Sequence, residues 1–302
     1  MMTDAPTMDR RPAPSRRVMA TGLLALVLTG LSLLASPARA DDFAASLSAI
    51  EKRAGGRLGV MILEPGGNRS WAYRADERFA MNSTFKAFAC AALLARVDTG
   101  AEKLETQIPI TSADLVPHAP VTQQHVGASM SLDALCAAAT RLSDNTAANL
   151  ILARIGGPKG LTAFMRTLGD KTTRLDRLEP ALNEAAPGDP RDTTTPAAAA
   201  RSLETLVLGD ALSAGSRRRL TDWLEADAVA DGLLRAALPA GWRIADRTGA
   251  GGHGSRGIIA VIWPPGRAPV VAAIYLGETS LSLAERDAVI AQVGRALVTA
   301  LQ

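Results

Sequence analysis

Aromatic residues make up only 4% of the 302-residue chain, so its core must be packed from aliphatic side chains and alanine. Cysteine is nearly absent. Two residues, Cys90 and Cys136, are too few for a disulfide-stapled scaffold or a four-cysteine zinc site. The three histidines, His118, His125 and His253, are scattered and read as polar loop residues, so no metal site is expected. An excess of one charge is also missing. Of 33 basic and 30 acidic residues, five arginines and two aspartates lie in the first 40 positions, leaving 28 of each. With acids and bases balanced beyond residue 40, a nucleic-acid partner has no electrostatic support. Internal repeats and low-complexity linkers are absent after the first 40 residues. What remains, 47% hydrophobic and 21% charged, is ordinary globular material with enough apolar residues for a large core.

The first 40 residues read as a cleaved export signal. Arg16 and Arg17 precede an apolar run from Val18 to Leu34, and Ala38-Arg39-Ala40 is a small-residue cleavage site. The run is too short and too poorly flanked for a dependable membrane span. Ser15-Arg16-Arg17-Val18-Met19 also resembles a twin-arginine motif, so either export route fits. A mature chain from Asp41, periplasmic and without a membrane span, is expected. In an exported chain an even pair of cysteines points to one disulfide, Cys90–Cys136.

Periodicity predicts a helix over 42–54, strands over 57–63 and 71–79, and a helix from Ser83 to about Asp98. Further helices are expected over 131–142, 145–155, 161–168, 195–208, 216–226 and 229–237, with a short helical turn at 111–115 and a long loop over 175–192. Three strands, 242–248, 257–263 and 270–276, and a helix over 282–301 close the chain. This order predicts an α/β fold of the α+β type: one antiparallel five-stranded sheet built from both chain ends, flanked by the N- and C-terminal helices, with an all-α lobe inserted. The α/β part takes 41–80 and 227–302; the helical part takes 81–226, including loop 174–192.

Ser83-Thr84-Phe85-Lys86 opens a helix and puts a lysine on the same face as a serine, one turn on. A serine becomes a nucleophile when a base takes its proton. Alone, the four residues would be a cap and a solvated lysine. Ser143-Asp144-Asn145 alone would be a cap motif between two helices, and Arg247-Thr248-Gly249 an ordinary strand end. In this order the three resemble the S-x-x-K, S-D-N and K-T-G set of the penicillin-recognising serine enzymes. Arg174-Leu175-Asp176-Arg177-Leu178-Glu179-Pro180-Ala181-Leu182-Asn183 further resembles the omega loop of class A β-lactamases, and the likeness runs from about Phe43 to the C-terminus.

The resemblance implies a serine acyl-enzyme that hydrolyses a β-lactam without a cofactor, in a monomer. Ser83 would attack the lactam carbonyl. Lys86, or Glu179 through a water, would take its proton. The N–H groups of Ser83 and Ala250 would form the oxyanion hole, and Ser143 would relay a proton to the lactam nitrogen. Glu179 and Asn183 would hold the hydrolytic water. Asn145 would bind the acylamide side chain, while Arg247, Thr248, Gly249 and Arg256 would line the carboxylate site. Arg177 and Asp192 fall where the family closes the loop with a salt bridge, and Cys90 and Cys136 where one branch has a disulfide.

Three departures bear on substrate choice. Arg247 replaces the usual lysine, and Asp246-Arg247-Thr248-Gly249-Ala250-Gly251-Gly252 resembles the carbenicillin-hydrolysing subgroup. Asn82 stands where many members have a bulkier apolar residue, and His118 replaces an aromatic residue at the cleft mouth. A peptidoglycan D,D-peptidase or a penicillin sensor would share the serines and the lysine, yet need neither Glu179 nor Asn183. The G-x-G-x-x-G match at 249–254 precedes a strand rather than a helix, which argues against a dinucleotide site.

Overall fold

Strands Arg256–Trp263 and Val270–Gly277 are apolar without alternation, the mark of strands covered on both faces. They form the middle of the sheet. The computed structural model describes residues 37–66 and 69–302, so the expected signal segment lies outside the described residues except for 37–40. In chain order the elements begin with helix α1 (Pro37–Ala54), strands β1 (Arg57–Leu63), β2 (Ser70–Tyr73) and β3 (Phe79–Ala80), and helix α2 (Phe85–Asp98). Next come β4 (Gln107–Pro109), β5 (Ser129–Ser131), α3 (Leu132–Arg141), α4 (Asn145–Arg154) and α5 (Gly157–Thr167). Then follow β6 (Thr193–Thr194), α6 (Pro196–Val207), α7 (Ala214–Glu225), β7 (Arg243–Ala250), β8 (Arg256–Trp263), β9 (Val270–Gly277) and α8 (Leu283–Leu301).

The main sheet has five antiparallel strands in the order β2-β1-β9-β8-β7, so both chain ends build it, as the element order predicted. One face, through Ile258, Ala260 and Ile262, packs on Phe43, Leu47 and Ile50 of α1 and Val289, Val293 and Leu297 of α8. The other face, through Ile259, Val261, Ala273 and Tyr275, packs on the helical part through Phe85, Phe88, Leu203, Leu206 and Trp223. Helix α2 is buried continuously from Phe85 to Leu94, as expected of a helix that is apolar all round. It forms the axis of the inserted lobe. A disulfide joins Cys90 of α2 to Cys136 of α3. The described residues form one compact unit that holds both the sheet and the helices. Among the described residues no helix is long and apolar enough to cross a membrane.

Two expected elements differ. The strand expected over 71–79 is two strands, because Arg74 takes a left-handed backbone (φ 44°) and its guanidinium turns to Glu51 and Glu77. β3 then leaves the main sheet to pair with β6. The helix expected over 229–237 is a series of turns with one 3₁₀ turn, Arg235–Ala237. There Asp227 Oδ1 accepts the Val229 N–H and the Ala228 N–H donates to the Arg141 carbonyl, bonds that compete with a helix. Its apolar spacing is still used, since Leu233 and Leu234 are buried beside α1 and α8.

Candidate active site

Ser83 lies in a 3₁₀ turn, Asn82–Thr84, that runs directly into α2. The side chain of Thr84 closes this turn by donating to the Met81 carbonyl (2.8 Å). Strand β7 passes so close that a side chain on Gly249 would put its Cβ 2.8 Å from Ser83 N and from the Met81 carbonyl oxygen. Only glycine allows this approach, which brings the strand end carrying Ala250 against the serine.

One turn into α2, Lys86 is completely buried. Its Nζ donates to Asn145 Oδ1 (2.6 Å), the Ser143 carbonyl (2.8 Å) and Ser143 Oγ (3.2 Å), and it lies 3.1 Å from Glu179 Oε1. Burial pushes its pKa down to about 8, against the pull of the Glu179 carboxylate, which raises it; the nearby Arg247 charge adds to the depression. A lysine in this state supplies a useful fraction of free amine near neutral pH.

Ser143 reaches this lysine because it sits in the break between α3 and α4 with a left-handed backbone (φ 59°). Asp144 caps α4 through the Ala147 N–H and also accepts the N–H groups of Val121 and Thr122 and the Thr122 hydroxyl. The carboxylate is fully buried and fully bonded, which pins the cleft wall to the helix start. Asn145 donates from Nδ2 to the Pro117 carbonyl, and its N–H bonds the His118 carbonyl. His118 is exposed at that wall, with its ring Nε2 3.1 Å from the Leu142 carbonyl oxygen.

The loop over 174–192 delivers Glu179. Arg177 Nε bonds Asp192 Oδ2 (2.6 Å), and Asp192 Oδ1 accepts the N–H groups of Asp176 and Arg177. Asn149 on α4 clamps the Glu179 backbone from both sides, donating to its carbonyl and accepting its N–H (3.0 Å each). Asn183 Nδ2 donates to Glu179 Oε2. On this loop two buried acceptors remain without a hydrogen-bond partner, Asn183 Oδ1 and Glu179 Oε1. The second faces Lys86 as an ion pair without a well-directed hydrogen bond. The loop is tied to the end of β7 by the Gly252 N–H, which donates to the Asn183 carbonyl (2.9 Å).

A family model for the β-lactamase enzyme family matches residues 42–301. An ancestral class A β-lactamase (GNCA) is 59% identical, with TM-score 0.84, covering 85% of this chain and 99% of that one. The class A enzyme of the last common ancestor of Gram-negative bacteria (GNCA4) is 56% identical, with TM-score 0.85, covering 86% and 99%. PenP of Rhodopseudomonas palustris, assigned to class A, is 48% identical, with TM-score 0.85, covering 86% and 100%. The chain belongs to the class A β-lactamases. It is therefore a hydrolase of that family, with the family's α+β fold.

Within this class A site the structure gathers Ser143, Asn145 and Glu179 around Nζ of Lys86, with Asn183 on the Glu179 carboxylate, Ser83 one turn before the lysine, and Arg247, Thr248, Gly249 and Ala250 along the adjoining strand. Arg247 differs from its expected part. Its guanidinium is 1% exposed, with Nε bonded to the Ser83 carbonyl (3.2 Å) and Nη1 to the Thr140 carbonyl and Asp227 Oδ2 (2.9 Å each). Three of its five donors face the protein, and Nη2 makes none of these bonds. Arg256, opposite Ala250 in the β7–β8 register, pairs with Asp287 on α8 (2.6 Å). Sequence reasoning named Asp144 only as part of its motif, without a role, and missed Asn149, Asp227 and Asp287. Asn149 lies one turn after Asn145 on the same helix face and was within reach of pattern reading. Asp227 and Asp287 meet their arginines only through the fold.

Proposed function

We propose that this protein hydrolyses the lactam amide of penicillins through an acyl-enzyme on Ser83 and so confers β-lactam resistance. The observation that carries the reading is the buried Glu179 carboxylate, which takes the Asn183 amide on Oε2 and lies 3.1 Å from Lys86 Nζ on Oε1, next to the unpartnered acceptor Asn183 Oδ1. A D,D-peptidase or a penicillin sensor has no use for such a pair; a hydrolase needs it to take hydrogens from a water. Ser83 Oγ bonds to the lactam carbon while its proton passes to Lys86, or to Glu179 through a water. The oxyanion takes the N–H groups of Ser83 and Ala250. The C–N bond breaks as Lys86 returns a proton through Ser143 to the nitrogen. Glu179 then takes a proton from water, which attacks the ester carbon; the bond to Ser83 Oγ breaks as that proton is handed to Oγ, restoring the serine and the carboxylate. Asn145 holds the acylamide group, and Thr248, Gly249 and Arg256 hold the ring carboxylate. Glu179→Ala should accumulate a covalent penicilloyl adduct on Ser83, read by intact mass. Normal turnover without an adduct would remove Glu179 from this role.

Carbenicillin belongs among the substrates on this reading. It carries a second carboxylate, whose desolvation needs compensating positive charge. Arg247 stays charged at working pH, and its Nη2 makes none of the bonds that tie Nε and Nη1 to Ser83, Thr140 and Asp227. Arg247→Lys should lower the ratio of kcat/KM for carbenicillin to that for benzylpenicillin several-fold, equivalent to roughly 1 kcal/mol. Equal losses on both substrates would make Arg247 a brace for Ser83 and nothing more. The Cys90–Cys136 disulfide supports export to an oxidising compartment, the periplasm, where the protein acts as a monomer.

A further inference from the structure

Asn82, immediately before Ser83, is fully buried and takes a left-handed backbone (φ 45°), which asparagine adopts more readily than apolar residues do. Its amide is divided in use. Nδ2 donates to Ser255 Oγ (2.9 Å), while Oδ1 is buried without a hydrogen-bond partner. An amide that costs desolvation in the turn of a nucleophile calls for an account of what it holds. Ser255 belongs to the turn between β7 and β8. Its N–H donates to the Gly252 carbonyl, and its carbonyl accepts the N–H of Gly251 and Arg286 Nη1. Ala250 enters this turn and Arg256 leaves it, opposite each other in register. The side chain of Asn82 thus joins the turn that carries Ser83 to the turn that carries Ala250 and Arg256. The fit is close: a Cβ on Gly251 would lie 2.3 Å from Asn82 Oδ1 and 2.7 Å from the Asn183 carbonyl oxygen.

We propose that Asn82 is a positioning residue for the hydrolysis described above, acting through its bond to Ser255. The bond holds the N–H groups of Ser83 and Ala250 at the spacing at which both reach one oxyanion, and keeps Arg256 in line with them. The inference rests on the proposed acyl-enzyme reaction. Such a tie acts on the tetrahedral state more than on the bound substrate, so its loss should appear in kcat rather than KM.

The test compares wild type, Ser255→Ala, Ser255→Thr and Asn82→Gly. Ser255→Ala should lower kcat for benzylpenicillin roughly tenfold, a part of what losing a whole oxyanion donor costs. The inhibition constant of phenylboronic acid, which forms a tetrahedral adduct on the serine, should rise by a similar factor. Ser255→Thr, which keeps the hydroxyl, should restore both. Asn82→Gly, which keeps the left-handed backbone and removes only the amide, should match Ser255→Ala and serves if that variant does not fold. Wild-type kcat and boronate affinity in Ser255→Ala or Asn82→Gly would overturn the tie, as would a kcat loss with unchanged boronate affinity. A wild type that forms no acyl-enzyme with benzylpenicillin would overturn the reaction itself, a separate failure.

Discussion

Lys86 illustrates what a single side chain gains from its surroundings. With its pKa near 8 it is largely protonated at pH 7 and progressively freed above it. If the free amine takes the proton from Ser83, the single-turnover acylation rate should rise with pH to a midpoint near 8. The Glu179 carboxylate raises the lysine's pKa, so Glu179→Gln should move that midpoint lower. Stopped-flow acylation across pH 5 to 10 checks both. A profile flat above pH 6 in wild type, with acylation abolished in Glu179→Gln, would assign the base to Glu179. The same depression has a sign for stability. The folded state binds fewer protons than the unfolded chain between the folded value near 8 and the ordinary lysine value of 10.5, so this residue's contribution rises with pH across that window.

At the scale of elements, the loop over 174–192 is held by one buried carboxylate. Asp192, 1% exposed, accepts two backbone N–H groups and the Arg177 guanidinium. Asp192→Asn would set an amide against those donors and cost about 1–3 kcal/mol, by the usual penalty for unsatisfied buried groups. The loss should be local first. Hydrogen exchange should speed up over residues 176–184, and deacylation should slow more than acylation because the loop carries Glu179 and Asn183. Unchanged exchange would shift the anchoring to the Asn149 clamp. This loop was legible in the sequence because its residues are close together in the chain. The turns over 228–237 were not: the spacing of Ala230, Leu233 and Leu234 imitates a helix, and only their burial against α1 and α8 reveals another backbone path.

For the whole molecule, the sheet is the shared wall of two cores. Ile258 belongs to the α1–α8 side and Ile259 to the helical side, and both are fully buried. Each, cut to alanine, should destabilise by about 2–5 kcal/mol in urea unfolding, the cost of a buried cavity. A sheet with one solvated face would show that cost for only one of the pair. The apolar run from Ile258 to Trp263 has the pattern of a strand covered twice, and the distribution of strands between the two chain ends announced their shared sheet.

The sequence by itself determined the order of elements and, through its resemblance to the class A enzymes, pointed to the serine, the two motifs that follow it and the loop with Glu179 and Asn183. These are short stretches whose residue types and spacing fall within a turn or two of chain. Only the tertiary structure decided how the groups are used. Arg247 spends three donors on Thr140, Asp227 and Ser83, and Asn82 grips Ser255, 173 residues further on. Arg256 leans on Asp287 of the last helix. Hydrogen-bond partners at such separations are chosen by the packing of the two cores on one sheet, a long-range outcome that no local pattern in the chain encodes.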